Sequence, residues 1–228
     1  MDSPTDVPEQ KSKVSDKESK SSDNDDKSDG KKCDNSSESM KGEGDSEKTK
    51  NEEQNLSTWK DNCIALDFRG RWTRENSLCK GMTEALEGRG YDKEAAAKKA
   101  NGPYVQDWSR NNPDDPLEWT VTTFNTEIAT PYRDVTYTVG HFEEMYKGPS
   151  ILFGESDAKG SILKRFMEYK KCSDGQFGVA LVVTTETPRG NEESKRYLSK
   201  EGQLILERKL YLDETKEVIS SLEVFEKS

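Results

Sequence analysis

Between Ser194 and Lys227 the chain reads SKRYLSKEGQLILERKLYLDETKEVISSLEVFEK, three short strands cut by turn signals at Lys200-Glu201-Gly202 and Asp213-Glu214-Thr215-Lys216. Alternation along Leu204–Leu212 puts Leu204, Leu206, Arg208, Leu210 and Leu212 on one face and Ile205, Glu207, Lys209 and Tyr211 on the other. A cation in a row of leucines costs several kcal/mol if it is buried without a partner. The sheet must therefore supply Arg208 with an acid or expose it. Groups that could do covalent or acid–base chemistry are scarce. His141, the single histidine, stands beside a turn glycine and reads as a surface residue, and Cys79 and Cys172 have no histidine near them in sequence. No metal-ligand cluster, phosphate loop or nucleophile elbow is present. The residues predict a binding protein with no catalytic residues, no metal and no cofactor.

The elements that must position Arg208 lie in the second part of the chain. Residues 1–55 contain no aromatic residue and carry 10 basic against 16 acidic groups. Such a segment buries too little apolar surface to offset its ordering entropy and is expected to be a disordered acidic tail. All 19 aromatic residues fall in 56–228, which predicts one domain of modal size. The start, MDSPTDVPEQ, lacks a basic stretch followed by an apolar run, and no stretch approaches the ~20 apolar residues of a membrane span. Four cysteines without CxxC spacing fit free thiols in a reducing compartment. The expectation is a soluble cytoplasmic, and also nuclear, protein with no integral membrane segment. Its acidic balance argues against a nucleic-acid partner. Ser-x-x-acid triplets at Ser3, Ser15 and Ser22 match an acidophilic kinase, although composition alone accounts for them; the sequons at Asn35 and Asn55 carry no meaning without a secretory signal.

Leu66–Trp72 opens the domain as a strand with Phe68, Gly70 and Trp72 on one side; the glycine is expected to admit a neighbouring backbone while the indole plugs one end of a barrel. Two short helices follow, about Leu78–Glu87 and Lys93–Ala100, with Asp92 as N-cap of the second and Gly102-Pro103 as its stop. KEAAAKKA has strong helix formers and no large aliphatic stripe, which suits a surface lid. After Pro103 come strands at Tyr104–Trp108, Trp119–Phe124, Asp134–Val139, Ile162–Tyr169 and Phe177–Thr185. With the opening strand and the three terminal strands they make about nine or ten. An antiparallel meander of this length closes most economically into an up-and-down barrel, which leaves no edge and can hold one small ligand.

The ordered series Phe68-x-Gly70-x-Trp72, helix pair, Trp119–Thr123, Asp134–Gly140, His141-Phe142-Glu143-Glu144, Lys195–Leu198, Gly202–Leu206 and Val224–Lys227 resembles the intracellular lipid-binding family of the calycins, the cytosolic fatty-acid-binding and retinoid-binding proteins. The resemblance runs from Leu66 to Lys227. It implies an all-β fold, a ten-stranded antiparallel lipocalin-like barrel capped by a helix-turn-helix, with a water-containing lumen for a long-chain fatty acid or a similar hydrophobic ligand. It also implies that two arginines and a tyrosine of the last strands hold the ligand carboxylate. Arg196 falls on the first arginine position; Glu223 replaces the second arginine, and Phe225 the tyrosine. Periodicity alone would turn Leu222 and Val224 inward, whereas the resemblance turns Glu223 inward. If Asp213–Lys216 is the last turn, Leu206 lies opposite Glu223 and Arg208 diagonal to it. Arg208 and Glu223 are then expected to form a lumen-facing ion pair that leaves Arg196 for the ligand, and the ligand-binding set is Arg196, Arg208, Glu223, Phe225 and Leu206.

Two functions follow. The first is a monomeric carrier of a fatty acid or related hydrophobic small molecule, whose helical cap touches membranes transiently. The second is a non-enzymatic protein–protein adaptor that keeps a filled barrel as a scaffold and acts through its acidic tail. The insertion at Lys147–Lys159 is longer than the family pattern and bears on the portal.

Overall fold

The computed structural model describes residues 58–112, 114–125, 128–145 and 162–228. The tail with its serine triplets and sequons, Cys33 and the Lys147–Lys159 insertion lie outside the described residues. Helix α1 covers 58–65, a 3-10 turn Asn76–Leu78, α2 Met82–Gly88 and α3 Lys93–Asn101. The strands are β1 Gly70–Arg74, β2 Val105–Ser109, β3 Glu118–Asn125, β4 Ile128–Thr138, β5 Gly140–Met145, β6 Ile162–Lys171, β7 Val179–Thr187, β8 Gly190–Leu198, β9 Leu204–Leu212 and β10 Val218–Lys227.

They form one antiparallel sheet in the order β4-β3-β2-β1-β10-β9-β8-β7-β6-β5. Every pair is sequential except β1 with β10, which joins the first strand to the last and curls the sheet into a nearly closed barrel. β4 and β5 share no ladder among the described residues. This is the capped ten-stranded barrel that the resemblance implies.

Several boundaries differ from the sequence reading, each for a local reason. β1 begins at Gly70 and runs on to Arg74, because Gly70 takes φ +111°, a conformation that L side chains rarely adopt. A Cβ on Gly70 would meet only the flexible end of Lys227 at 3.1 Å, so the glycine serves the backbone turn and not the close approach of another backbone. Trp72 is buried, and its Nε1 donates to the Phe68 carbonyl at 2.6 Å. The first cap helix starts at Met82 rather than Leu78, since Lys80 is pinned to β10 by two backbone hydrogen bonds of 2.9 Å with Leu222. Gly81 turns the chain at φ +65°; a Cβ there would sit 2.4 Å from the Ser220 carbonyl oxygen. α3 is capped as its sequence demands. Asp92 accepts from the Ala95 amide at 2.8 Å, Glu94 lies in the first turn, and Lys98 and Lys99 lie in the last. α1 has no counterpart in the sequence reading, and β5 was recognised only as part of the family series.

The main core fills one end of the barrel with rings. Phe68, Trp108 and Trp119 stand 5.1 to 5.8 Å apart, and Tyr137 stacks on Trp108 at 6.1 Å and 11°. Tilted and offset pairs of this kind add about 0.5–1.5 kcal/mol each beyond the area they bury. A smaller cluster of Cys172, Ala180, Tyr197, Ile205, Val224 and Leu222 forms on the opposite face of the last strands. It explains why periodicity misleads on β10: Leu222 and Val224 are apolar because they pack there, while Ser221, Glu223 and Phe225 turn inward.

Candidate functional site

The inward rows of β8, β9 and β10 carry charge where a barrel of this size would be expected to carry aliphatic side chains. From β9 comes Arg208, buried as its place among Leu204, Leu206 and Leu210 requires. Its partner is in register: Glu223 lies directly opposite Leu206, and Arg208 Nε donates to Glu223 Oε1 at 3.1 Å. Glu223 is 0 % exposed. Arg208 Nη1 also donates to Glu192 Oε1 at 3.3 Å, which adds β8 to the network.

The network continues into the cap. Arg89, in the turn between α2 and α3, donates through Nε and Nη2 to Glu192 Oε2 at 2.8 and 2.6 Å. Arg74, at the end of β1, donates through Nη1 to Glu223 Oε2 at 3.3 Å. Its Nη2 faces the carbonyl oxygens of Lys99, Ala100 and Gly102 at 3.1, 2.9 and 2.7 Å. One guanidinium thus closes the C-terminus of α3, where orphan carbonyls concentrate partial negative charge. The chain Arg89–Glu192–Arg208–Glu223–Arg74 holds three cations and two anions. Burial alone would raise the Glu192 carboxyl, but Arg89 and Arg208 outweigh it and hold the group below the ordinary range. Burial would likewise lower Arg208, yet Glu223 and Glu192 raise its proton affinity.

A second group comes from β4, β5 and β6. Arg133 donates to Glu144 through Nε at 2.9 Å and through Nη2 at 2.6 and 2.7 Å, a bidentate grip. Arg165 Nη2 lies 2.7 Å from the same carboxylate, but neither that atom nor Arg165 Nε has a hydrogen-bond partner among the described residues. Two cations therefore share one anion.

Arg196 stands apart. It is 4 % exposed, and its Nη1 donates to Ser194 Oγ at 2.9 Å. No carboxylate among the described residues pairs with it, and its Nε has no partner. Its guanidinium carbon lies 5.3 Å from the Tyr137 ring centroid and 5.6 Å from that of Trp108. Such contacts hold a desolvated cation by about 2 kcal/mol. Burial is the largest influence on Arg196 and lowers its proton affinity, with Arg208 and Arg165 acting in the same direction. Tyr137 records the field these cations make. Burial pushes its phenol up, but Arg196, Arg165 and Arg133 together bring it below the ordinary value.

Between these side chains lies a cavity of about 20 Å³, lined among others by Arg133, Arg165, Glu192, Arg196, Arg208 and Tyr137. That is room for about one water molecule. Small-molecule sites run to about 300–1,000 Å³. Among the described residues this cavity is far smaller than the water-containing, tail-sized lumen that the resemblance implies.

Of the residues singled out from sequence, Arg196 and Arg208 line the cavity and Glu223 sits behind Arg208. Leu206 and Phe225 are buried in the inner layer without lining it, Phe225 against Tyr104 at 6.0 Å. The sequence reading missed Arg74, Arg89, Arg133, Arg165, Glu144 and Glu192. Glu192 had a usable signal: counting back by twos from Arg196 gives Ser194 and Glu192 on the inward row. The thiols offer little chemistry. Cys63, Cys79 and Cys172 are unpaired, and burial pushes the Cys63 thiol up to about 11.

No family model and no curated protein matches the sequence. Among solved structures, the chain is similar to the fluorescent protein UnaG at 17% identity and TM-score 0.48, over 71% of this chain and 97% of that one. The REP1-NXSQ fatty acid transporter gives 14% and 0.49, over 71% and 96%. A zebrafish ileal bile-acid-binding protein complexed with cholic acid gives 15% and 0.48, over 71% and 98%. At such values the chemistry rests on this chain's own side chains.

Proposed function

We propose that residues 56–228 form a non-enzymatic carrier domain that takes an amphiphilic organic anion into the barrel, with Arg196 as the cation that meets its head group. The observation that carries this reading is the buried guanidinium of Arg196, which faces the cavity with no carboxylate beside it among the described residues. An isolated buried charge costs several kcal/mol, and an incoming anion recovers that cost through a charge-assisted contact. The hydrophobic tail adds about 0.8 kcal/mol per buried methylene, of order 10 kcal/mol gross for a long chain, before association and desolvation costs. The small cavity means that side chains or the cap must move to admit the tail. In this reading the carrier is a monomer of the cytoplasm and nucleus, its cap touches membranes during loading, and residues 1–55 are an appended tail.

The same small cavity favours a second reading, in which the barrel is a filled scaffold and the acidic tail recruits a protein partner. One titration separates the two. Hexadecanoate is added to the delipidated full-length chain and followed by tryptophan emission, since Trp108 lies beside Arg196. Saturable binding with one site per chain, weakened at least about tenfold in Arg196→Met, supports the carrier. A chain that takes up no amphiphile overturns it and leaves the scaffold.

A further inference from the structure

The carrier reading leaves open how many charges the ligand brings, and the charge balance of the lumen bears on that. Among the described residues, six guanidiniums, from Arg74, Arg89, Arg133, Arg165, Arg196 and Arg208, are set against three carboxylates, from Glu144, Glu192 and Glu223. The excess of three cations is not spread evenly. One belongs to the Arg89–Glu192–Arg208–Glu223–Arg74 chain, and it has a sink: Arg74 Nη2 faces three carbonyls at the C-terminus of α3, an end worth about half a negative charge. The other two excess charges have none among the described residues. One is Arg196. The other belongs to Arg133 and Arg165, which share Glu144.

Both of these cations line the same cavity and lie against one ring. The guanidinium carbons of Arg196 and Arg165 lie 5.3 and 5.7 Å from the centroid of one ring, that of Tyr137, and both arginines line the cavity. Two buried donors, Arg196 Nε and Arg165 Nε, have no partner among the described residues, and Arg165 Nη2 lies 2.7 Å from Glu144 without a hydrogen bond to it. A single carboxylate answers one of the two charges and leaves the other unmatched in a low-dielectric interior.

Resting on the carrier reading, we propose that the head group this lumen selects is a dianion, with both charges on one head, held by Arg196 on one side and Arg165 on the other. Suitable classes are a phosphate monoester and a geminal dicarboxylate on an alkyl chain. Both present several acceptor oxygens at one point, as donors converging on one ring require, and guanidinium forks match either geometry.

The test compares three ligands with the same pentadecyl chain on the full-length protein at pH 7.5: hexadecanoate, pentadecyl phosphate and pentadecylmalonate. Binding is followed by tryptophan emission and by calorimetry. Either dianion is expected to bind about tenfold or more tightly than hexadecanoate, the scale of one added charged hydrogen bond. That preference should fall below about threefold in Arg165→Met while hexadecanoate is little affected. Preference for the phosphate alone or the malonate alone supports the dianion and names its source. Equal affinity of all three in the wild-type chain overturns the dianion while leaving the carrier in place. No binding by any of them overturns the carrier reading itself. The wild-type comparison stands even if Arg165→Met fails to fold.

Discussion

Replacing Glu223 by Gln removes a charge that two buried guanidiniums share. Glu223 Oε1 is 3.1 Å from Arg208 Nε and Oε2 is 3.3 Å from Arg74 Nη1, with essentially no solvent on the carboxylate. Removing one partner of a buried ion pair typically costs about 3–5 kcal/mol, because the survivor is left uncompensated. Here each survivor keeps another acceptor, Arg208 at Glu192 and Arg74 at the α3 carbonyls and Asn76, so the lower end, about 3 kcal/mol, is expected. For a domain of this size each kcal/mol moves the midpoint by about 2–4 °C, giving a fall of about 6–12 °C. Thermal unfolding by circular dichroism, paired with a urea titration at pH 7, reads both numbers. The double variant Glu223→Leu with Arg208→Met should recover at least half of the loss, since Arg89 then matches Glu192 and Arg74 retains the helix end. A loss below about 1 kcal/mol in Glu223→Gln, or a double variant no better than the single, would refute the reasoning that Glu223 compensates two buried cations.

Glu192 gives the lumen an acid limit. Its folded-state carboxyl lies below the unfolded value of about 4.3, so the stability it contributes is complete above that pH. It is lost as pH falls from about 4.3 through the folded value. Urea midpoints at pH 7, 4 and 3 should drop steeply in the wild-type chain and less steeply in Glu192→Gln, which starts lower. In Arg89→Ala the tie between the α2–α3 turn and β8 is cut; amide exchange should accelerate in α3 and at the turn by about tenfold or more, with little change in β6 and β7. In Tyr137→Phe an ultraviolet titration should lose the phenol that ionises below the ordinary value of about 10, while the transitions of Tyr104 and Tyr169, raised chiefly by burial, persist. If the first phenolate still appears in Tyr137→Phe, the cationic field has been assigned to the wrong ring.

The barrel was legible because hairpin signals recur from Pro103 onward and because no further long helical pattern follows in the sequence. The misfit of Arg208 among leucines was legible for the same reason: period two on β9 is unbroken. Legibility failed where a residue's company hid its face. Glu192 and Glu193 sit together in a polar run that looks like a turn, and only the strand's extension back to Gly190 turns one of them inward. Arg165 stands between Lys164 and Phe166 in an alternation that fits either face until Leu163 and Met167 are known to be inside. Arg74 and Arg89 are separated from their partners by 149 and 103 residues, and no local pattern reports a pair at that distance. On β10 the apolar signal was real but belonged to the outer cluster around Tyr197 and Ile205.

The seat of Arg74 under α3 also bears on exchange kinetics. Its Nη2 has two protons and three carbonyls within reach, so lifting the end of α3 forfeits about two charge-assisted hydrogen bonds. At about 1.5 kcal/mol each, the lifted form is about 1% of the population. A ligand that must wait for that form enters and leaves slowly, and because both rates fall by the same factor its affinity is unchanged. Residence inside the barrel would then be timed by a helix end rather than by the strength of the contact with the head group.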